Sequence, residues 1–379
     1  MRDIRPVAGA CVWRGAEMAR SERWRRRLSD AQLAEIDAAV VRVRGHALSW
    51  QEVTAEEFPL PGLAPLFDDI RAELEDGSGL LLLQGLDPGR YDLDTLKLLY
   101  AGLVRHIGTA VYSNRAGEIM REIRDVTRDG ADAGARYGAL PDAGAPGAGA
   151  PGAGKPGAEK PGAFLSSYAR TLTSGALRHH TDRCDVVALF CVRQAMKGGL
   201  SKLCSSPAVH NEMLTRQPDL AAALYEPVWR SRFGEEDATD ASSYPLPVWG
   251  VRDGKFTSHY SRTFIEVAQR RTEVPRLSEA QSEAIEMLHA LADELSFEMS
   301  FAPGDIQFVN NHVVYHARSA FEDGSAEAAG TDGGRLLLRL WLAMPNSRAL
   351  PEDHRVLWGN VAAGARRGGI GQTQTAPLG

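Results

Sequence analysis

Apolar residues along this chain follow two rhythms. In the first third the spacing is helical. Ser29-Asp-Ala-Gln32 forms a capping box, and Leu33, Ile36, Val40 and Val43 follow at intervals of three and four. A second helix is predicted over Ala64 to Leu74. A third runs from Thr95 to Ile107, with Leu96, Leu99, Leu103 and Ile107 on one side and Gly108 as its stop. Between them, Gly79 to Leu83 reads as a buried strand ended by Gly85 and Pro88. Pro207 to Thr215 and Pro218 to Tyr225 read as helices, and Tyr244 to Trp249 as extended chain. Ser278-Glu-Ala-Gln281 is another capping box, leading into Ile285, Leu288, Ala292 and Leu295. The strand rhythm dominates elsewhere in the second half. Val186 to Val192 is an apolar, β-branched run; Pro303-Gly304-Asp305 turns into the strand Ile306 to Asn310; Val313-Val314-Tyr315 is strand-like. The pattern alone is α+β with strands concentrated late in the chain.

Composition narrows the class. The chain has 379 residues, 44% hydrophobic and 24% charged, which is ordinary globular usage with room for a large core. A net charge of −6 gives no footprint for nucleic acid. No apolar stretch reaches 18 residues, and the N-terminal segment lacks an apolar core of signal-peptide length, so neither membrane nor export is expected. Cys11, Cys184, Cys191 and Cys204 show no zinc spacing and read as reduced thiols of a cytoplasmic protein. Arg25-Arg26-Arg27 reads as a short solvated cluster. Pro146, Pro151, Pro156 and Pro161 recur every five residues, each followed by Gly-Ala. That repeat has no large apolar side chain to bury, so residues 143–163 are expected to form a mobile loop. It reads either as a flexible lid or tether or as a repeat expansion without function.

Against this background three residues carry chemistry. Arg178-His179-His180-Thr181-Asp182 contains a His-x-Asp pair just before the Val186 strand, and Asn311-His312-Val313-Val314-Tyr315-His316 ends in a distal histidine 316 − 182 = 134 residues later. On an extended chain, residues two apart point the same way, so His180 and Asp182 face one point while Thr181 faces away. Two imidazoles and one carboxylate on one face of a metal suit non-haem Fe(II), whose opposite face stays open. A His-x-Asp pair alone is weak: a histidine at a strand end beside a turn carboxylate looks the same. A second pattern lies in Arg335-Leu-Leu-Leu-Arg339-Leu-Trp341-Leu, where Arg335, Leu337, Arg339 and Trp341 share one strand face. A guanidinium fork matches a carboxylate with two parallel hydrogen bonds.

The stretches HTDRCDVVALFCVRQAMKGGLSKLCSS, GDIQFVNNHVVYHARSAFED and RLLLRLWL, in that order, resemble the TauD/TfdA-like branch of Fe(II)/2-oxoglutarate-dependent dioxygenases, related to clavaminate synthase-like enzymes. The resemblance implies a double-stranded β-helix, or jelly roll, with helices flanking and inserted. It implies Fe(II), 2-oxoglutarate and O₂ as cofactor and cosubstrates, converted to succinate and CO₂ as a small organic substrate is oxidised. His180, Asp182 and His316 match the iron ligands, and Arg335 matches the arginine on the far carboxylate of 2-oxoglutarate. Ser201, after Gly198-Gly199-Leu200, stands where the family often carries a threonine on that carboxylate. Arg339 matches a second arginine, close to the cosubstrate or to an anionic substrate. The gap from His316 to Arg335 is longer than usual, with the excess in the loop Gly324 to Gly334.

The expected protein is a single catalytic domain over 1–379. Its parts are a helical N-terminal flank at 1–110, the repeat loop at 143–163, a metal-binding β-core at 164–350 and a tail at 351–379. Within that tail, Arg366 to Ile370 looks like a recurring family ending. The substrate is expected to be a small, anionic or amino-acid-like molecule, including secondary metabolites, with hydroxylation as the default outcome. Arg339, Tyr260, Arg262, His259 and Asn310 are the candidate substrate residues. Partners are the small-molecule substrate and no nucleic acid or membrane, with homo-oligomer formation left open. Two other readings stand beside this one: a non-catalytic jelly-roll binding protein, and a zinc hydrolase on the same three ligands.

Overall fold

The computed structural model describes residues 4–127, 139–141, 163–165, 167–233, 235, 241–324 and 334–371. The Pro/Gly/Ala repeat and its reading as a lid lie outside these residues, as does nearly all of the 324–334 loop.

Two sheets form the core. The larger has seven strands: β1 (Arg25–Arg27), β2 (Leu80–Gln84), β3 (Thr109–Val111), β4 (Arg121–Ile123), β6 (Val186–Arg193), β9 (Ile306–Asn310) and β11 (Leu336–Ala343). Their spatial order is β1-β2-β9-β6-β11-β3, with β4 also paired to β11, and every pairing except β1–β2 is antiparallel. The smaller sheet has four strands in the order β8 (Phe297–Met299), β7 (Ser201–Ser205), β10 (Val314–Arg318), β5 (Leu177–His180), all antiparallel. This is the α+β jelly roll expected from the motifs.

Strand alternation explains how the layers pack. Along β11 every residue is buried. Leu336, Leu338, Leu340 and Leu342 face outward onto α1 (Asp30–Gly45), α2 (Ala64–Glu75) and α3 (Leu93–Arg105), in one core with Ile36, Phe67 and Leu99. Leu337 and Trp341 face inward, toward Leu203 and Val314 of the smaller sheet. The inner positions of β11 therefore look into the jelly roll, and that is where Arg335 and Arg339 fall.

Local signals hold closely. Both capping boxes form, Ser29 with Gln32 and Ser278 with Gln281, the latter starting α4 (Glu279–Glu294). The third helix starts two residues earlier than its apolar pattern, because the Asp92 carboxylate accepts the Thr95 backbone N–H at 2.7 Å and caps it. Arg25-Arg26-Arg27 corrects the reading as a solvated cluster. It is an edge strand, parallel to β2, and Arg26 holds Asp69 with two bonds, at 2.5 and 3.1 Å. Positively charged side chains on an edge strand also discourage pairing with another chain. All four cysteines are free, and no helix among the described residues is long and apolar enough to cross a membrane.

Candidate metal centre and its two clefts

Two neighbouring strands and the turn after one of them bring the candidate ligands together. His180 closes β5 and is in register with His316 on the neighbouring β10. Their rings lie 4.3 Å apart between centroids. Asp182 follows two residues after His180, and its carboxylate sits between them: Oδ1 is 3.7 Å from His180 Nε2 and Oδ2 is 3.8 Å from His316 Nε2. The ligand atoms of all three lie within 4.8 Å of one another. Those spacings fit one small ion, and the donor set of two imidazole nitrogens and one carboxylate oxygen fits iron.

The surroundings hold each group in its ligating form. His180 Nδ1 donates to the Arg178 carbonyl at 2.8 Å, so the proton is on Nδ1 and the Nε2 lone pair faces the centre. Burial, reinforced by His180, pushes His316 down to a pKa of about 3, so its imidazole is neutral at physiological pH. Burial works against ionisation of Asp182. The Arg339 guanidinium, both imidazoles and the Trp341 indole outweigh it, and the carboxyl lies below its ordinary value. Trp341 Nε1 donates to Asp182 Oδ2 at 2.8 Å, and Arg339 Nη1 stands 3.5 Å from the same oxygen. The Asp182 backbone N–H donates to Asn311 Oδ1 at 2.9 Å, and Asn311 Nδ2 donates to the Cys184 carbonyl. Beneath this lies Asp185. It accepts His312 Nε2 at 2.9 Å, Arg367 Nε at 2.8 Å and the Met344 backbone N–H at 3.0 Å. Gly369 N and Ile370 N add bonds to the Arg183 and Tyr112 carbonyls, so the C-terminal segment straps the metal strand from below.

Two clefts meet at the centre. The first encloses about 520 Å³ including its mouth, and is lined by Ser201, Leu189, Leu337, Arg318, Arg335 and Arg339 together with the three candidate ligands. Arg335 is 3% exposed, and its Nε and Nη1 have no hydrogen-bond partner. Burial pushes its pKa down to about 10. Its place depends on the turn before β7, where Gly198 and Gly199 both have positive φ, at 74° and 66°. A Cβ on Gly199 would stand 3.0 Å from Arg335 Nε, and one on Gly198 would meet the Ala320 carbonyl at 2.2 Å. Ser201 Oγ donates to Gln307 Oε1 at 3.2 Å at the same cleft. The second cleft, about 490 Å³, shares His180, Asp182 and Arg339, and is otherwise lined by groups including Arg183, Glu235, Tyr244, His259, Phe264 and Trp341.

The candidate substrate residues divide. Arg339 lines both clefts, with Nε and Nη2 unpartnered. His259 lines the second, its Nδ1 bonded to Thr181 Oγ1 at 3.0 Å. Tyr260 is packed away against Tyr315 and touches neither cleft. Arg262 is engaged by Glu266 and Glu286 on the helical side. Asn310 ties a strand end, donating to the Leu74 carbonyl at 2.8 Å and accepting the His312 N–H at 2.9 Å. Sequence reasoning missed Arg318. Its position two residues after His316 on β10 is the signal that puts it on the ligand's face.

A jelly roll that gathers two histidines, a carboxylate and buried unpaired arginines at one opening belongs to the non-haem Fe(II)/2-oxoglutarate-dependent dioxygenases. Residues 44–341 match the family described as "Taurine catabolism dioxygenase TauD, TfdA family". The chain belongs to the TauD/TfdA family, and its cofactor and cosubstrates are Fe(II), 2-oxoglutarate and O₂. Among curated relatives, it is 27% identical over 365 residues to FR-33289 synthase of Streptomyces rubellomurinus, covering 95% of this chain and 97% of that one. It is 28% identical over 334 residues to the taurine hydroxylase-like protein SAT17 of Stachybotrys chartarum, covering 87% and 77%. Among solved structures, asparagine oxygenase with Fe(II), 2S,3S-3-hydroxyasparagine and succinate superposes with a TM-score of 0.60 at 14% identity, covering 90% of this chain and 99% of that one. The non-haem iron oxygenase OrfP with Fe and α-ketoglutaric acid gives 0.57 at 16%, covering 84% and 93%. The likeness to these two shows a shared fold.

Proposed function

We propose that His180, Asp182 and His316 hold Fe(II), that Arg335 and Ser201 hold 2-oxoglutarate in the first cleft, and that a small acidic or amino-acid-like substrate is hydroxylated from the second. One observation carries this: the three ligand atoms converge within 4.8 Å beside buried guanidinium groups that lack partners. Bound there, iron would supply the one chemistry the side chains lack, activation of dioxygen coupled to decarboxylation of 2-oxoglutarate.

The protein's own groups bind, orient and exclude water. His316 offers a neutral nitrogen, and the bond from His180 Nδ1 to the Arg178 carbonyl turns Nε2 to the centre. Trp341 and Arg339 keep Asp182 ionised and fix Oδ2, so the carboxylate presents a defined face. Arg335 offers a fork at the far end of the first cleft, and Leu189 and Leu337 give apolar walls between it and the centre. Those walls suit the methylenes of a five-carbon diacid. Arg339 reaches the second cleft with two unpaired N–H groups, which suits an acid group on the substrate. Asparagine oxygenase and OrfP are each seen with hydroxylated amino acids, which supports an amino-acid-like substrate and hydroxylation as the outcome. The N-terminal third belongs to the same catalytic unit, because β2 and β3 fill the sheet that carries the arginines.

The test is anaerobic addition of Fe(II) and 2-oxoglutarate to the apoprotein. A weak visible charge-transfer band that needs both additions is expected. Its absence from folded, metal-loaded protein refutes the assignment of ligands and cosubstrate site. Succinate release across small acids and amino acids then finds the substrate. Neutral esters or amides that work as well as their acids would refute the role of Arg339.

A further inference from the structure

We infer that Arg318 is a second guanidinium for the far carboxylate of 2-oxoglutarate, forming with Arg335 a two-arginine cradle against the ring of Phe321. The inference rests on the reading that the first cleft takes the cosubstrate.

Three observations lead to it. Arg318 is 5% exposed and lines the first cleft, and its Nε and Nη1 have no partner. Its remaining nitrogen, Nη2, donates to the Thr173 carbonyl at 2.7 Å and to the Gly175 carbonyl. Nη2 is therefore fixed by backbone, and Nε and Nη1, on opposite flanks of the group, are each left with an open N–H. Second, Arg318 Cζ lies 4.9 Å and Arg335 Cζ 5.2 Å from the centre of the same Phe321 ring. Among the described residues, neither guanidinium has a carboxylate within ion-pair distance, Asp125 and Asp323 acting on Arg318 and Arg335 only from farther off. Two buried like charges on one ring are costly unless an anion joins them. Third, the span is right. Arg318 stands two residues beyond His316 on β10, a rise of about 7 Å. That places it one diacid's length from the metal ligands, on the side of Arg335.

A cradle of two guanidinium groups reads the far carboxylate with more donors and more positive charge than one arginine supplies, so it favours a dicarboxylate over a 2-oxo monoacid. The alternative is a purely structural arginine that braces residues 173–175. The two roles separate in a comparison of 2-oxoglutarate with pyruvate, which has the same chelating end and no far carboxylate. Anaerobic titration of the Fe(II)-loaded protein is followed by the visible band. Arg318→Gln is expected to raise the Kd for 2-oxoglutarate about tenfold to a hundredfold and to leave that for pyruvate unchanged. Arg318→Lys keeps the charge without the guanidinium's separate donors and should recover part of the loss. If Arg318→Gln does not fold, the same ratio is read from Arg318→Lys. A Kd for 2-oxoglutarate within twofold of wild type overturns the inference, and so does an equal loss for both ligands. A wild-type protein with no band at all fails the cosubstrate reading itself.

Discussion

Replacing Trp341 by Phe removes one hydrogen bond from the carboxylate at the centre and keeps an aromatic ring beneath Arg339. The bond runs from Nε1 to Asp182 Oδ2 at 2.8 Å, inside the protein. The Arg339 guanidinium lies 4.7 Å from the Trp341 ring, and that stacking survives in large part. A hydrogen bond to a charged group is worth about 1.5–3 kcal/mol. The bond exists with and without metal, so this figure is a ceiling on the change in affinity. At 1.4 kcal/mol per factor of ten, the ceiling is about a hundredfold. Partners that orient metal ligands typically account for ten- to a hundredfold in affinity, which brackets the same range. The loss arises because Asp182 is freed to rotate and is more easily protonated. The assay is anaerobic Fe(II) titration of Trp341→Phe against a competing chelator, with urea unfolding run in parallel to separate packing loss from site loss. A Kd for Fe(II) within twofold of wild type, in a folded protein, would refute the claim that Trp341 positions the carboxylate.

Further outcomes follow from the same geometry. Asp182→Ala should nearly abolish succinate release while the circular dichroism spectrum stays native; unchanged turnover would mean that another group holds the iron. Arg335→Met should raise the 2-oxoglutarate Kd about a hundredfold in the anaerobic titration, with Fe(II) affinity little changed. Ser278→Ala should cost about 1 kcal/mol in urea unfolding and leave turnover intact, because it removes only the cap of α4. Burial pushes His312 down to a pKa of about 4, against roughly 6.5 in an unfolded chain. The unfolded state therefore takes up the proton first as pH falls below about 6.5. Stability from this group is full above that value and is lost towards pH 4. Between pH 7 and pH 5 the loss is about 2 kcal/mol, and His312→Gln should lose correspondingly less over the same interval; an identical pH slope would count against the assignment.

Much of this was legible in the chain, for identifiable reasons. Capping boxes are local chemistry, so Ser29 and Ser278 marked their helices. Strand alternation is local too, so Arg335, Leu337, Arg339 and Trp341 could be placed on one face before their neighbours were known. What that face looks at depends on the other sheet, and no local pattern contains it. The His180 and Asp182 pair needed His316 from a distant strand, and only the ordered motifs linked them. Arg318 obeyed the same period-two rule as His180 and Asp182 but sat outside the recognised positions. Tyr260 and Asn310 misled because polarity near a strand end is equally the mark of a group that closes the end, as the bonds of Asn310 do. Arg25-Arg26-Arg27 misled because charge was weighed and the vacant edge of β2 was invisible.

The strap from Arg367 to Asp185 bears on how the protein is made. The two residues are 367 − 185 = 182 positions apart. At synthesis rates of about 5–20 residues per second, Asp185 waits roughly 9–36 s for its guanidinium. The sheet has the same history: β9 inserts between β2 and β6, and β11 between β6 and β3, so its middle arrives last. Until then the early strands present bare edges to the cell, which is when nascent chains are lost to aggregation. Slower growth at lower temperature during expression, or a chaperone that shields strand edges, should therefore raise the yield of metal-competent protein more than added iron does.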